Sequence, residues 1–268
     1  MRKKGNSYKE ISVLLNVSKA TVYKYSSSIK LSKKAKKTIL SKIRLNQQKF
    51  VKKYAVLKNL KKNVKWSINK IRIISHCLFD GSLTKYTLNY TNTSKMLIIQ
   101  FINDVYSVYG INPTLLEKKP GSFSIKYTVY FCCKRLCDDL RKYSPSYSTV
   151  DKISQIPEKV FYSNKEEIRN FLRAFWEDEG CITIKGEILG RIRSRKIRNQ
   201  LLILHLKVGV ECSSYDSSDD MYGLRIYKNE ENIKRFNKIG FGNAVIIRGF
   251  NKGVKKQELF ERLCLKKV

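Results

Sequence analysis

Two acids in this chain stand where an acid is electrostatically out of place. Residues 171–180, FLRAFWEDEG, begin as an apolar helix and end in Glu177, Asp178, Glu179 and Gly180. The last turn of a helix carries the negative end of its dipole and disfavours carboxylates. About a hundred residues earlier, IISHCLFDG (73–81) repeats the pattern. Aligned on the glycine, Asp80 matches Glu179, Ser75 matches Ala174 and Gly81 matches Gly180. Each copy ends in an acid followed by a helix-stopping glycine, and each carries a small residue that lets a second helix come close. Two such helices side by side bring Asp80 and Glu179 together at their C-terminal ends. Carboxylates gathered against the dipole make sense around Mg²⁺ or another divalent cation, for which carboxylate oxygens are the natural ligands. Glu177 and Asp178 are expected to make local hydrogen bonds or to tune that site.

The rest of the composition says what such a site would act on. The 268 residues hold 55 Lys and Arg against 22 Asp and Glu, a net charge of +33, which is the footprint of a polyanion binder. Nucleic acid is the first candidate and an anionic membrane surface the rival. The longest apolar runs, such as LLIL at 201–204, fall far short of the roughly 20 residues that span a bilayer. The N-terminus, MRKKGNSYKE, has no apolar run behind its charges, unlike a signal peptide. A soluble, intracellular (cytoplasmic) protein without membrane contact is expected. The seven cysteines have no regular spacing and read as free, mostly buried thiols. Cys132, Cys133 and Cys137 cluster, but His76 and His205 are the only histidines and no second cysteine pair has ligand spacing, which disfavours zinc. There is no Gly-rich phosphate loop and no Ser–His pairing.

Ahead of the two acidic segments lie two basic ones. Residues 7–25, SYKEISVLLNVSKATVYKY, read as two short helices with Ile11, Leu14 and Leu15 on the first, Val17 in the turn and Ser18 as the N-cap of the second. This pattern resembles resolvase-like and sigma-factor-like helix-turn-helix segments over about twenty residues. The second helix of such a motif enters the major groove, making Lys19, Thr21 and Lys24 the candidate DNA contacts and turning Ala20 and Val22 inward. The usual supporting helix would fall at or before Met1, leaving this unit incomplete or propped by the helix that follows. That helix is read over 32–66, opened by Ser32 and unbroken by Gly or Pro. Residues 1–66 hold 20 Lys and Arg against Glu10 alone, so self-repulsion makes this a segment that tracks phosphates.

With both acidic segments on the page, IISHCLFDG and LRAFWEDEG resemble the two motifs of LAGLIDADG (dodecapeptide-type) homing endonucleases in their single-chain, two-repeat form. Gly81 and Gly180 lie 99 positions apart, about the size of one repeat in that family. QIPEKVFYSNKEEIRNFLRAFWEDEG is similar to its lead-in to the second motif, and YGLRIYKNEENIKRFNKIGF to the strand and helix closing a repeat. The resemblance implies an α+β fold in which two pseudo-symmetric αββαββα repeats form a β-saddle on DNA. The expected domains are a helix-turn-helix segment at 1–31, a basic helical linker at 32–66, and the two repeats at 67–162 and 163–268.

Periodicity supplies the expected DNA-facing residues. SFSIKYTVYF (122–131) alternates Phe123, Ile125, Tyr127, Val129 and Phe131 against Ser124, Lys126, Thr128 and Tyr130, a half-buried strand with a polar face. The same alternation gives Ser82, Thr84 and Tyr86 after the first motif, Cys181, Thr183 and Lys185 after the second, and Arg225 with Tyr227 in GLRIY. SKMLIIQFINDVYSVYG (94–110) is an amphipathic helix capped by Ser94 and stopped by Gly110. Its counterpart around NQLLILHLKVG (199–209), preceded by GRIRSRKIRN, reads several residues shorter, which would thin the core of the second repeat.

The resemblance implies a site-specific, Mg²⁺-dependent double-strand break, with Asp80 and Glu179 as metal ligands and Lys126 and Arg225, on corresponding strands, stabilising the transition state. The partner would be double-stranded DNA, and a chain carrying both repeats would act as a monomer. Two other classes share this scaffold: a non-catalytic DNA-binding regulator and a maturase that binds intron RNA. Acids in both motifs favour the nuclease over the regulator.

Overall fold

In a computed structural model of the protein, the described residues are 1–54, 64–120, 125–151, 153–217, 220–242, 245, 247 and 253–265. They form two compact units, divided between Lys58 and Asn59. The N-terminal unit holds α1 (Tyr8–Leu15), α2 (Lys19–Ser26) and α3 (Lys33–Tyr54). A Ser7/Glu10 capping box opens α1, Asn16 ends it in the left-handed conformation, and Ser18, as the sequence predicts, caps α2 through the Thr21 N–H. The basic helix counts with this unit rather than as a separate linker. It is described only to Tyr54, and residues 64–67 are not helical. Its early part meets the first short helix, where Lys42 pairs with Glu10 at 2.8 Å, and Ala35, Ile11 and Val22 are each buried. Two expectations are corrected. Ala20 is exposed, and Leu14 and Leu15 remain 64% and 52% exposed, because a core built on three small contacts closes over only one stripe of each eight-residue helix.

The second unit repeats one architecture twice. In the first repeat α4 (Ile68–Phe79) leads to β1 (Gly81–Leu83), β2 (Thr87–Asn92), α5 (Lys95–Tyr109), β3 (Leu115–Pro120), β4 (Ile125–Cys132) and α6 (Lys134–Arg141). After the short α7 (Glu158–Phe161), the second gives α8 (Lys165–Glu179), β5 (Gly180–Ile182), β6 (Ile188–Ile192), α9 (Arg195–Lys207), β7 (Cys212–Asp216), β8 (Tyr222–Ile226) and α10 (Glu230–Asn237). The strand orders are β1-β2-β4-β3 and β5-β6-β8-β7, antiparallel throughout. This is the expected α+β, αββαββα arrangement. An element outside the repeats, α11 (Lys256–Phe260), runs into a π-helical turn at Glu261–Leu265.

Alternation decides which sheet face meets the helices. Leu88, Tyr90, Val129 and Phe131 are fully buried, while their neighbours Asn89, Thr128 and Tyr130 keep part of their surface. Ser94 caps α5 and Gly110 ends it at φ 71°. The second repeat is not thinned: α9 has 13 residues against 15 in α5, because the basic stretch is itself ordered as the end of β6 and the first turn of α9. Ile197, Leu201 and Leu204 bury fully. All seven cysteines are free, four of them buried. No helix of the described residues is long and apolar enough to cross a membrane.

Candidate active site

The two acid-ending helices pack along each other. Ser75 and Ala174 are buried, and the Ser75 hydroxyl donates to the Phe171 carbonyl at 2.7 Å. That bond lies across the helix pair, and Phe79 meets Phe171 and Phe175 beside it. Small residues thus permit the close approach that the sequence predicts. The glycines are required for space. Gly180 stops α8 as expected, with φ −81° and ψ 148°, an ordinary extended conformation. A Cβ there would lie 2.5 Å from the Trp176 carbonyl, and one at Gly81 would lie 2.6 Å from the Cys77 Cα. Each chain folds back from helix into strand directly over the last helical turn.

The acids then separate into distinct environments. Asp80 caps α4 and is exposed, and its carboxylate accepts from the Asn92 amide at 3.2 Å. Glu179 ends α8. Burial pushes its carboxyl up to about 8, with the negative charges of Asp80 and Asp178 adding to the shift and Lys256 opposing it. Asp178, its side chain fully buried, accepts from the Tyr90 hydroxyl at 2.7 Å and from the Asn92 amide at 3.3 Å, and is hydrogen-bonded to His76 Nδ1 at 2.8 Å. Burial raises Asp178 well above the usual carboxylate range despite these bonds. Burial also lifts Glu177 to about 7 and holds His76 down to about 4. Glu177 and Asp178 thus sit in the local network expected of them, and Asn92 ties Asp80 to Asp178 between the repeats.

A cavity of about 310 Å³ opens here, lined by Asp80, Asn92, Glu177, Asp178, Cys181 and Lys256 among others. Glu179 is not part of that lining. Among the described residues no group of three or more His, Cys, Asp or Glu could hold a metal ion. A two-carboxylate site still suits Mg²⁺, which binds through one or two carboxylates and keeps its other positions for phosphate and water.

The other candidate residues fall in several places. Lys19, Thr21 and Lys24 are exposed on α2, though the Thr21 hydroxyl is engaged with Ser18 at 2.8 Å. Ser82 opens one row of the outer sheet face, with Asn89, Tyr130 and Leu115, and Thr128 lies in the next row with Thr91 and Glu117. Thr84 and Tyr86 are not on a strand: β1 ends at Leu83, and both stand in the hairpin turn, where the Thr84 hydroxyl accepts from the Thr87 N–H. Thr183 and Lys185 likewise lie in the turn after β5. Tyr227 follows β8 and lines a cavity with Leu202, Ile203 and Leu206 of α9, on the helical side of the sheet. Ser124 lies outside the described residues.

Lys126 and Arg225 stand on corresponding strands but not at corresponding positions. Gly81 pairs with Tyr90 and Asn89 with Tyr130, while Gly180 pairs with Gly190 and Leu189 with Arg225. The registers therefore equate Arg225 with Tyr130, four residues from Lys126, or about 13 Å along a strand. The cation nearer the centre in the second sheet is Arg191, the counterpart of Thr91. It is exposed, and its Nε donates to the Tyr215 hydroxyl at 3.4 Å. Tyr215 lies over Gly223, where a Cβ would meet its ring at 2.1 Å, and the Arg225 guanidinium stands 5.8 Å from the same ring. Sequence reasoning missed Arg191, Asn92 and Lys256. Arg191 was visible only as one of several basic residues in GRIRSRKIRN.

The shifted groups carry a pH prediction. Folded Glu177 and Glu179 hold their protons up to about 7 and 8, whereas unfolded glutamates release theirs near 4.5. The folded state therefore binds more protons in that range, and stability falls as pH rises. His76 and His205, both held to about 4 by burial, act with the opposite sign, but only below about 6.5. The metal-free protein is expected to lose thermal stability between pH 6.5 and 8, with a shallower loss in Glu179→Gln; equal slopes in melting curves for the two proteins would contradict this.

No family model matches the chain, and no curated protein matches it. Similar solved structures include the crystal structure of I-DmoI in complex with DNA and Mn, at 14% identity and TM-score 0.46, covering 65% of this chain and 97% of that one. The homing endonuclease I-WcaI bound to its DNA recognition sequence is similar at 15% identity and TM-score 0.46, covering 68% and 90%. Full-length DUF199/WhiA from Thermatoga maritima is similar at 12% identity and TM-score 0.48, covering 77% and 63%.

Proposed function

We propose that this protein is a site-specific, metal-dependent DNA endonuclease of the LAGLIDADG homing type, a single chain of two repeats acting as a monomer on double-stranded DNA. The observation that carries the reading is the packing of α4 along α8, with the Ser75 hydroxyl on the Phe171 carbonyl at 2.7 Å, which sets Asp80 and Glu179 at the C-terminal ends of the paired helices. Acids placed so are costly in a protein that only binds DNA, because they repel its phosphates. They are useful where a cation stands between them and the phosphate.

Asp80 and Glu179 would hold the divalent ions, which when bound supply an activated water and polarise the phosphoryl oxygens. Asn92 fixes the Asp80 carboxylate from the side. The buried Asp178–His76 pair ties α8 to α4 at the level of the acids, so the two carboxylates keep their separation. Lys126, Arg191 and Arg225 extend from the sheet faces as phosphate contacts, and the exposed Lys19 and Lys24 of α2 add contacts from the N-terminal unit.

The test is Mg²⁺-dependent cleavage of a randomised duplex library or of DNA flanking the gene in its host. Tight binding with no cutting would replace this reading with a DNA-binding regulator or a maturase. Binding is also expected to weaken by about a thousand-fold or more between 50 and 200 mM salt if six or more phosphates are neutralised. A flat response in a filter-binding titration would sink the nucleic-acid reading itself.

A further inference from the structure

The dipole conflict posed by the three acids of α8 has a local answer outside the repeats. Lys256, the first residue of α11, donates from its ammonium to the Glu177 carbonyl at 2.8 Å and to the Trp176 carbonyl at 3.3 Å. It thereby caps the negative end of α8 with a full positive charge. The same side chain lines the 310 Å³ cavity beside Asp80, Glu177 and Asp178, and its charge acts on Glu179. Its backbone is fixed as well, since the Lys256 N–H donates to the Val245 carbonyl at 2.8 Å. Burial holds the ammonium below the usual lysine range, against the attraction of Asp178, Cys181, Glu177 and Asp80.

We infer that Lys256 is the resident counter-ion of this acid cluster: it holds the cluster together before DNA arrives, and it opposes the binding of a divalent ion to the free protein. This rests on the endonuclease reading for the identity of the metal ligands. An ammonium lining the same cavity as Asp80 repels a divalent ion held there. Metal would therefore enter readily only when phosphates add negative charge to the pocket. The chain would then bind metal and DNA cooperatively, because each lowers the cost of the other.

The experiment is Mn²⁺ titration of the DNA-free full-length protein, with unbound Mn²⁺ read by electron paramagnetic resonance. Lys256→Gln keeps a hydrogen-bond donor without the charge, Lys256→Met removes both, and Lys256→Arg keeps the charge. The Gln and Met variants are expected to bind Mn²⁺ at least about ten-fold more tightly than wild type, with Arg close to wild type. The gain is expected to vanish when Asp80→Asn and Glu179→Gln are added. Should the Met variant fail to fold, the contrast between Gln and Arg decides alone. Affinities equal to or weaker than wild type in the Gln variant, or a gain that survives loss of both acids, would overturn the inference. Because the readout needs neither DNA nor cleavage, an inactive wild type counts against the endonuclease reading and leaves this result to be judged separately.

Discussion

Asp80→Asn and Glu179→Gln are each expected to reduce Mg²⁺-dependent cleavage by about a thousand-fold or more while leaving the complex with DNA intact. Asp80→Asn removes a negative charge, Glu179→Gln removes a carboxyl that must ionise to bind metal, and neither changes much volume. Asp80 is exposed, so its replacement opens no cavity in the core. Asn also retains an oxygen able to accept from the Asn92 amide, 3.2 Å from the Asp80 carboxylate. Folding and DNA contacts should therefore survive, and binding should tighten slightly as repulsion of the phosphates falls. What is lost is the anionic oxygen on the metal, and a thousand-fold is about 4 kcal/mol of barrier. Gel-shift and cleavage assays on the same preparations check this. Cutting that persists at near wild-type rate in either variant would remove that acid from the site. Parallel loss of cutting and binding would mean the change had damaged the fold.

The second large effect is on stability. Gly180→Ala would place a methyl group 2.5 Å from the Trp176 carbonyl and 2.6 Å from the Trp176 ring. Neither can retreat easily: Trp176 is fully buried, its indole N–H donates to His205 Nε2 at 2.9 Å, and its carbonyl accepts from Lys256. Forcing a group into a packed site costs about 1–3 kcal/mol, and contact with a backbone carbonyl falls at the upper end. For a unit of this size about 3 kcal/mol corresponds to a fall of roughly 6–12 °C in Tm. A Tm within 2 °C of wild type by calorimetry would show that the turn can relax, and that glycine before the strand is not a spatial requirement.

Much of the arrangement was legible in the sequence, for reasons that can be named. Ser75 and Ala174, Asp80 and Glu179, and Gly81 and Gly180 lie six, one and no residues before the turn in both copies, and local spacing on a helix fixes which residues share a face. Strict alternation around Val129 and Phe131 fixed the buried face of β4 in the same way. Strand ends were less legible. Thr84, Tyr86, Thr183 and Lys185 continue the alternation past Leu83 and Ile182, but the chain turns there because hairpin geometry, not side-chain period, ends the ladder. Lys126 and Arg225 do lie on corresponding strands, β4 and β8, but their offset along those strands depends on register between segments far apart in sequence.

The αββαββα order followed from the family resemblance; by itself, the sequence determined the doubled helix–acid–glycine unit, the caps at Ser18, Ser94 and Gly110, and the basic charge that points to nucleic acid. Each depends on residues within a few positions of one another, or on a simple count. Tertiary structure alone decided that Asn92 bridges Asp80 and Asp178, that His76 from one repeat is hydrogen-bonded to Asp178 from the other, and that Lys256 caps α8 from 77 residues beyond its end. Those pairings join residues that no local period relates, and they form because the close packing of α4 on α8 leaves buried acids that need donors from whatever part of the chain folds over them.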